Sequence, residues 1–106
     1  MAWIIGLGSI RLLRSGRVER EWAFTFRRET EEGAALVQGV IDCCFEEGGQ
    51  WVLVDYKTDS PSDVPGAMER HRPQLEIYAA ALETITQMPV RERVLYLVRA
   101  GAGYVL

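Results

Sequence analysis

The sequence is poor in the residues that build covalent or metal-bound frameworks. Its 106 residues include two cysteines, one histidine and four prolines. The cysteines, Cys43 and Cys44, are adjacent, and neighbouring strand residues point to opposite faces, so they make a poor disulfide pair. Their spacing matches no metal-binding cysteine pattern. We therefore interpret both as core residues of a protein from a reducing compartment.

Long hydrophobic runs are also missing. The opening MAWIIGLGSI contains one apolar stretch, which is far too short to span a membrane. It has no basic region ahead of that stretch, so a signal peptide is not expected either. No membrane partner is predicted, and the apolar start of so short a chain suggests a piece of a larger protein.

Net charge is only −3, with a sequence pI of about 5.2. This acidity argues mildly against a simple nucleic-acid binder, which is usually basic. It does not exclude a nuclease, because carboxylates that hold metal ions also lower the pI. The chain is 48% hydrophobic and 25% charged, which is ordinary for one globular domain with a modest core.

The apolar periodicity predicts an α/β domain in the order α-β-β-β-α-β. Such an order implies a mixed β-sheet flanked by helices. The predicted elements are a helix over 9–15, strands over 18–29, 35–46 and 51–57, a loop over 58–66, a helix over 72–87 with Pro73 in its first turn, a strand over 93–100 and a possible fifth strand over 103–106.

Charged residues interrupt two of these otherwise apolar strands. A two-residue turn at Gly48 and Gly49, which a Gly-Gly pair favours, places Asp42 directly opposite Asp55. Cross-strand partners share a face, with Cβ atoms roughly 5 Å apart. Lys57 lies two residues beyond Asp55 and shares that face. We therefore predict that two carboxylates and one ammonium converge at one end of a hairpin.

Facing carboxylates repel each other, and burying them is costly without compensation. A divalent cation would remove the repulsion, and oxygen ligands suit Mg²⁺ or Mn²⁺. A lysine beside the metal can neutralise a scissile phosphate or orient the attacking water. The pattern G-x-x-D followed by D-x-K on the next strand is therefore coherent as a nuclease site. An ion network with no catalytic role is the alternative.

The predicted second helix carries two further candidates. Gln74 and Tyr78 are spaced i, i+4 and so lie on one helix face. They either belong to the same site or form a half-polar edge of the core.

Three segments, QGVID, LVDYKTD and RPQLEIYAAAL, resemble the signature of the nuclease domain of AddA and RecB, bacterial helicase-nucleases. That domain belongs to the PD-(D/E)XK group, which has a restriction-endonuclease-like fold. Together with the weaker VEREWAFTFR and VLYLVRAGAGYVL, the resemblance covers about residues 9–106. LVDYKTD followed by QLEIY is closer to the AddA side.

The resemblance implies a metal-dependent DNA exonuclease module of an ATP-dependent helicase-nuclease acting in double-strand-break repair and recombination. It implies single-stranded DNA as substrate, a bacterial cytoplasmic location and an AddB-like protein as partner. The implied residues are Asp42 and Asp55 as ligands of Mg²⁺ or Mn²⁺, the Tyr56 carbonyl facing the same metal, Lys57 as the catalytic lysine, and Gln74 and Tyr78 as the family's Q-x-x-x-Y motif, which shapes the site and contacts DNA.

The sequence departs from the family pattern upstream. The family carries a further acidic or histidine ligand on a helix ahead of the first strand, and SIRLLR offers no such group. Glu21 matches a recurring acidic residue of the family, and both a functional and a solvated position are open for it. His71 lies where the family often has Tyr, and we interpret it as a surface or helix-start residue. Residues 1–106 are then one nuclease domain, a C-terminal fragment of a larger helicase-nuclease with an incomplete metal shell.

A rival interpretation is a degenerate or truncated module that only binds single-stranded DNA or a partner protein. The intact set Asp42, Asp55 and Lys57 favours the enzyme, whereas the missing upstream ligand favours the rival. A standalone Cas4-like exonuclease is a poorer match, because Cys43 and Cys44 cannot supply four ligands to an iron–sulfur cluster.

Overall fold

The computed structural model describes residues 17–106, which form a five-stranded mixed β-sheet with one long helix packed on it. The strands follow chain order across the sheet; β3 and β4 pair in parallel, and the other neighbours pair antiparallel. This confirms the predicted α/β class and mixed sheet, and the helix predicted over 9–15 lies outside the described residues. The elements are β1 (Val18–Thr30), β2 (Gly33–Glu47), β3 (Gln50–Lys57), a 3-10 turn (Pro61–Asp63), α1 (Val64–Thr86), β4 (Val90–Leu97) and β5 (Ala102–Val105).

The β2–β3 hairpin has the predicted turn and register. Glu47 pairs with Gln50 across Gly48 and Gly49. These glycines have φ values of +61° and +77°, the left-handed conformation that a tight hairpin turn of this kind requires at both positions. The register that positions the two carboxylates is therefore set by the local chemistry of the turn.

The helix begins much earlier than the sequence predicts. The predicted loop over 58–66 is right only ahead of the 3-10 turn, and the predicted start near Pro73 is wrong, because α1 starts at Val64 and Pro73 lies inside it. The side chain of Asp63 caps the helix by accepting a hydrogen bond from the backbone N–H of Gly66 at 3.0 Å. Packing of α1 on the sheet outweighs the backbone hydrogen bond that an internal proline removes.

The last two strands also begin earlier than predicted. The predicted strand over 93–100 is displaced, because β4 runs from Val90 to Leu97 and then turns. The backbone N–H groups of Ala100 and Gly101 both donate to the Leu97 carbonyl at 3.0 Å. Gly101 has φ +64°, which allows this tight reversal into β5.

The helix covers one face of the sheet. Trp51 is fully buried beneath the end of α1, and its indole N–H donates to the Thr86 hydroxyl at 2.9 Å. No helix within residues 17–106 is long and apolar enough to cross a bilayer. The core on the helix side comprises Phe24, Ile41, Cys44, Trp51, Leu53, Ala79, Ala81 and Leu82, and the core on the other side comprises Cys43, Phe45, Val52, Val54, Val94 and Tyr96.

Candidate active site

Two carboxylates meet beside the end of the β2–β3 ladder. The ladder runs to the pair Cys43 and Val54, so Asp42 and Asp55 occupy the next opposing positions. The backbone N–H of Tyr56 donates to Asp42 Oδ2 at 2.8 Å and ties this carboxylate to β3. The negative charge of the Asp42 carboxylate is close enough to Asp55 to raise the pKa of Asp55. The hairpin register is therefore compatible with the predicted approach of Asp42 and Asp55.

Lys57 lies against the more buried of the two carboxylates. Its Nζ is 3.1 Å from Asp55 Oδ2, and the side chains are 24% and 4% exposed. The contact is an ion pair, and the buried Oδ2 has no hydrogen-bond partner among the described residues. Burial raises the pKa of Asp55 above its usual range, Lys57 opposes that rise, and Asp42 adds to it.

The backbone of Tyr56 presents an oxygen to the same place. In a strand, the N–H and C=O of one residue point toward the same neighbouring strand. The Tyr56 N–H points to Asp42, whereas the carbonyl of the next residue, Lys57, accepts from Val98 N–H at 3.0 Å. The Tyr56 carbonyl therefore points to the strand edge where Asp42 lies. This direction is compatible with the predicted carbonyl ligand.

Asp42 lies at a break in the strand alternation. Ile41 and Cys44 both belong to the core beneath α1, although regular alternation would put them on opposite faces. In β1, Glu21 is exposed, and its φ of +47° is rare for a residue other than glycine. Glu21 lies between the residues paired with Ile41 and Cys43, so the two irregularities face each other. The sequence gives no sign of this break.

Gln74 and Tyr78 form a connected pair on the helix above the sheet. Gln74 Nε2 donates to the Tyr78 hydroxyl at 3.1 Å. The Tyr78 ring packs edge-on against Phe24, with centroids 5.4 Å apart. A Cβ at Gly39 would lie 2.9 Å from Tyr78 Cε1 and 2.8 Å from Phe24 Cζ. The glycine of the G-x-x-D pattern is therefore required because two aromatic rings close over its backbone.

His71 is neither at the helix start nor a free surface residue. It lies two turns into α1, and its Nε2 is 3.0 Å from Asp59 Oδ1. Arg70 Nη2 donates to Asp59 Oδ2 at 2.8 Å. Sequence reasoning assigned no role to Asp59, although it closes the segment LVDYKTD. An acidic residue just after Lys57, with adjacent arginine and histidine on the next helix, is the signal that could have identified it.

The oxygen atoms available to a cation come from a short stretch of chain. Asp42 and Asp55 supply carboxylates, and the Tyr56 carbonyl lies beside them. Within residues 17–106, no three His, Cys, Asp or Glu side chains group closely enough to hold a metal ion on their own. Residues 1–16 contain no His, Asp or Glu. The arrangement therefore offers two carboxylates and a carbonyl, and leaves other coordination positions to solvent or substrate.

Comparison with known proteins identifies relatives along almost the whole chain. The profile of the PD-(D/E)XK nuclease superfamily matches residues 2–106. A Lysinibacillus sphaericus protein, named as a subunit of an ATP-dependent helicase/nuclease, is 44% identical over 82% of this chain. Proteins of the same name from Desulforudis audaxviator and Acetivibrio thermocellus are 38% and 41% identical over 95% and 82% of it. The chain spans 8–9% of the length of these relatives.

The superfamily match includes every residue of the site described above. The fold agrees with it, because the mixed sheet and its helix have the architecture expected of a restriction-endonuclease-like core. The chain therefore belongs to the PD-(D/E)XK nuclease superfamily.

Proposed function

We propose that this chain is the nuclease module of an ATP-dependent helicase-nuclease that hydrolyses DNA with the help of Mg²⁺ or Mn²⁺. Its substrate is the single strand delivered to the site, and its partner is an AddB-like protein in double-strand-break repair and recombination. The observation that carries the proposal is the meeting of Asp42, Asp55 and Lys57 at one end of the β2–β3 hairpin. Relatives that match most of this chain bear the name helicase/nuclease.

The donor set fits a small hard cation. Mg²⁺ commonly keeps several waters and uses one or two carboxylates together with substrate phosphates. Asp42 and Asp55 would hold it, with the Tyr56 carbonyl beside them. The buried Asp55 Oδ2 has no hydrogen-bond partner among the described residues, so a cation would give it one ligand bond that it lacks. When bound, such an ion lowers the pKa of water and stabilises charge that develops on the phosphate.

Lys57 supplies a positive charge at the same place. Its ammonium lies 3.1 Å from Asp55 Oδ2 and is partly open to solvent, so it can reach a phosphate oxygen without leaving the site. An ammonium donates up to three hydrogen bonds, so it can hold both a carboxylate and a phosphate or an attacking water. We assign Lys57 the task of binding the scissile phosphate and offsetting its charge.

Tyr78 lies on α1 against Gly39 of β2, the strand that carries Asp42, and Gln74 is bound to Tyr78. Tyr78 is fixed between Phe24 and the backbone of Gly39, and it accepts a hydrogen bond from Gln74. A fixed tyrosine and amide can contact the sugar and phosphate of a bound strand. Their role in the proposal is to orient DNA over the hairpin end, because positioning is a large part of phosphodiester hydrolysis.

The test compares Asp55→Ala and Lys57→Ala in the intact helicase-nuclease, assayed for cleavage of labelled single-stranded DNA. Both should abolish cleavage and leave ATP-driven unwinding intact. Calorimetric titration with Mn²⁺ should separate them, because Asp55→Ala loses a ligand, whereas Lys57→Ala removes a repelling charge and binds Mn²⁺ equally or more tightly. Glu46→Gln, on the same strand as Asp42, serves as the control. Full cleavage by Asp55→Ala would refute the proposed function.

A second candidate function is DNA or partner binding without hydrolysis. It is favoured by the absence of a third acidic or histidine side chain near Asp42 and Asp55 within the described residues. The isolated 106-residue chain should accordingly bind Mn²⁺ weakly and cleave poorly. An intact protein that binds single-stranded DNA but never cleaves it, at any Mn²⁺ concentration, would establish this second function instead.

A further inference from the structure

One carboxylate ties the loop after β3 to helix α1. Asp59 Oδ2 accepts a hydrogen bond from Arg70 Nη2 at 2.8 Å, and His71 Nε2 lies 3.0 Å and 3.1 Å from the two Asp59 oxygens. The Arg70 guanidinium and then the His71 ring hold the pKa of Asp59 below its usual range. The Asp59 and His71 side chains are 19% and 22% exposed, so this contact is mostly enclosed.

The connection joins two parts of the proposed site. Asp59 lies two residues after Lys57 in the chain. His71, Gln74 and Tyr78 are spaced i, i+3 and i+7, so they lie along one stripe of α1. The stripe is held at His71 by the loop from β3 and at Tyr78 by the aromatic contacts with β1. Gln74 lies between these two points of attachment.

We propose that Asp59 is a positioning residue for the hydrolytic site. By binding Arg70 and His71, Asp59 sets the position of Gln74 relative to Lys57. This inference rests on the proposed function, because it assigns Asp59 a part in the same reaction. Asp59 acts through Gln74 and Lys57, and it needs no contact with DNA or metal.

A role in stabilising the protein surface explains this contact less well than a positioning role does. Exposed ion pairs contribute little to stability. The pairs Arg27–Glu29 and Glu69–Arg72 are of that kind, since each lies within one element and has at least one side chain more than 70% exposed. The Asp59 carboxylate differs in that it is largely enclosed, receives two side chains and joins separate elements. Replacing Asp59 should therefore change the geometry of the proposed site more than the free energy of unfolding.

The experiment measures kcat and KM for cleavage of labelled single-stranded DNA by the intact helicase-nuclease. The variants are Asp59→Asn, Asp59→Ala, Gln74→Ala and the double variant Asp59→Ala with Gln74→Ala. Glu69→Gln is the matched control, because it removes an ion pair from the same helix without touching the β3 loop. Thermal unfolding of each protein accompanies the kinetics, and Asp59→Asn keeps the size and one acceptor of the native side chain.

We expect Asp59→Ala to lower kcat by about 10- to 100-fold with little change in KM, as small displacements of positioned groups do. Asp59→Asn should lose less, because its amide oxygen still accepts from Arg70. The double variant should be no slower than the slower single variant, since both act on one arrangement. Glu69→Gln should behave as the native protein.

Three comparisons of the variants' activities would overturn the inference, and a fourth result concerns their folding. They are an unchanged kcat in Asp59→Ala, additive losses in the double variant, and a Gln74→Ala protein as active as the native one. The inference would also be overturned if the loss of cleavage in each variant only matched its loss of folded protein. These outcomes differ from failure of the proposed function, which would appear as full cleavage by Asp55→Ala whatever the Asp59 variants do.

Discussion

Asp55 is the one polar or charged residue among residues 17–106 whose side chain is almost completely buried. The neighbours of Asp55 only partly offset the cost of burying its charge. Lys57 lies beside one Asp55 oxygen, but the Asp42 carboxylate repels the Asp55 carboxylate. Buried charges without full compensation destabilise a fold. The feature that suits Asp55 to hold a cation therefore weakens the metal-free domain.

Replacing Asp55 with asparagine should make the metal-free protein more stable. The amide removes the buried charge and can donate to the Asp42 carboxylate, so repulsion becomes a hydrogen bond. We expect Asp55→Asn to raise the free energy of unfolding by about 1 kcal/mol, measured by urea unfolding in EDTA. Glu46→Gln should change it little. Added Mn²⁺ should stabilise the native protein but not the variant, and a less stable variant in EDTA would contradict the prediction.

A methyl group at Gly39 should displace the Phe24 and Tyr78 rings that lie against its backbone. The added Cβ would lie within 3.0 Å of the Phe24 and Tyr78 rings, so at least one ring has to move. We expect Gly39→Ala to lower the free energy of unfolding by about 1–3 kcal/mol, as overpacking does, and to reduce DNA cleavage as well. Val40→Ala, at the neighbouring and half-exposed position, is the control. Equal stability of native and Gly39→Ala protein would contradict the close contact.

Sequence reasoning located side chains whose positions follow from counting along a hairpin. Asp42, Asp55 and Lys57 were found in this way because the Gly-Gly turn fixes the register. Counting could not find the N–H of Tyr56 that binds Asp42, because that bond forms where the regular ladder ends. Nor could it find the contact of Asp59 with α1, which depends on how a helix packs far along the chain.

At the scale of elements, the two prolines of α1 explain why the sequence predicts the start of this helix in the wrong place. Two prolines compete for the role of first-turn residue, and only Pro65 holds it, beside the cap at Asp63. Pro73 has similar local sequence signals but lies inside the helix, exposed to solvent. Local propensity cannot decide between them. The packing of Ala67 against Leu95 and Leu97 extends the helix over the sheet ahead of Pro73.

Replacing Pro73 should therefore strengthen α1. Alanine restores the backbone N–H that a helix interior uses and removes the ring that crowds the preceding turn. We expect Pro73→Ala to raise the free energy of unfolding by about 2 kcal/mol in urea unfolding. Pro65→Ala is the matched control and should give no gain, because a first-turn proline breaks no helical bond. Similar effects at both positions would contradict this explanation.

For the molecule as a whole, the accessibility of both cysteine thiols measures global unfolding. Cys43 and Cys44 lie on opposite faces of strand β2, and both are fully buried. Burial also raises the pKa of Cys44 to about 12, so its thiol stays protonated at neutral pH.

Thiol labelling of the native protein should therefore be slow at both cysteines and should follow the population of unfolded protein. The rates are measured with a thiol reagent across urea concentrations, and the single variants Cys43→Ala and Cys44→Ala assign them. Rapid labelling of either cysteine without urea would show that one face of β2 opens independently of the rest.

The strand order has a consequence for the time course of folding. β1, β2 and β3 pair as consecutive antiparallel neighbours, whereas β3 and β4 pair in parallel and are separated in the chain by α1. Contacts between neighbours in sequence generally form faster than distant ones. We expect the hairpin with Asp42 and Asp55 to assemble before the helix with Gln74 covers it. Pulse-labelled hydrogen exchange during refolding should show β2 and β3 protected before β4, so that the ligand pair exists for a short time as an open, uncovered site.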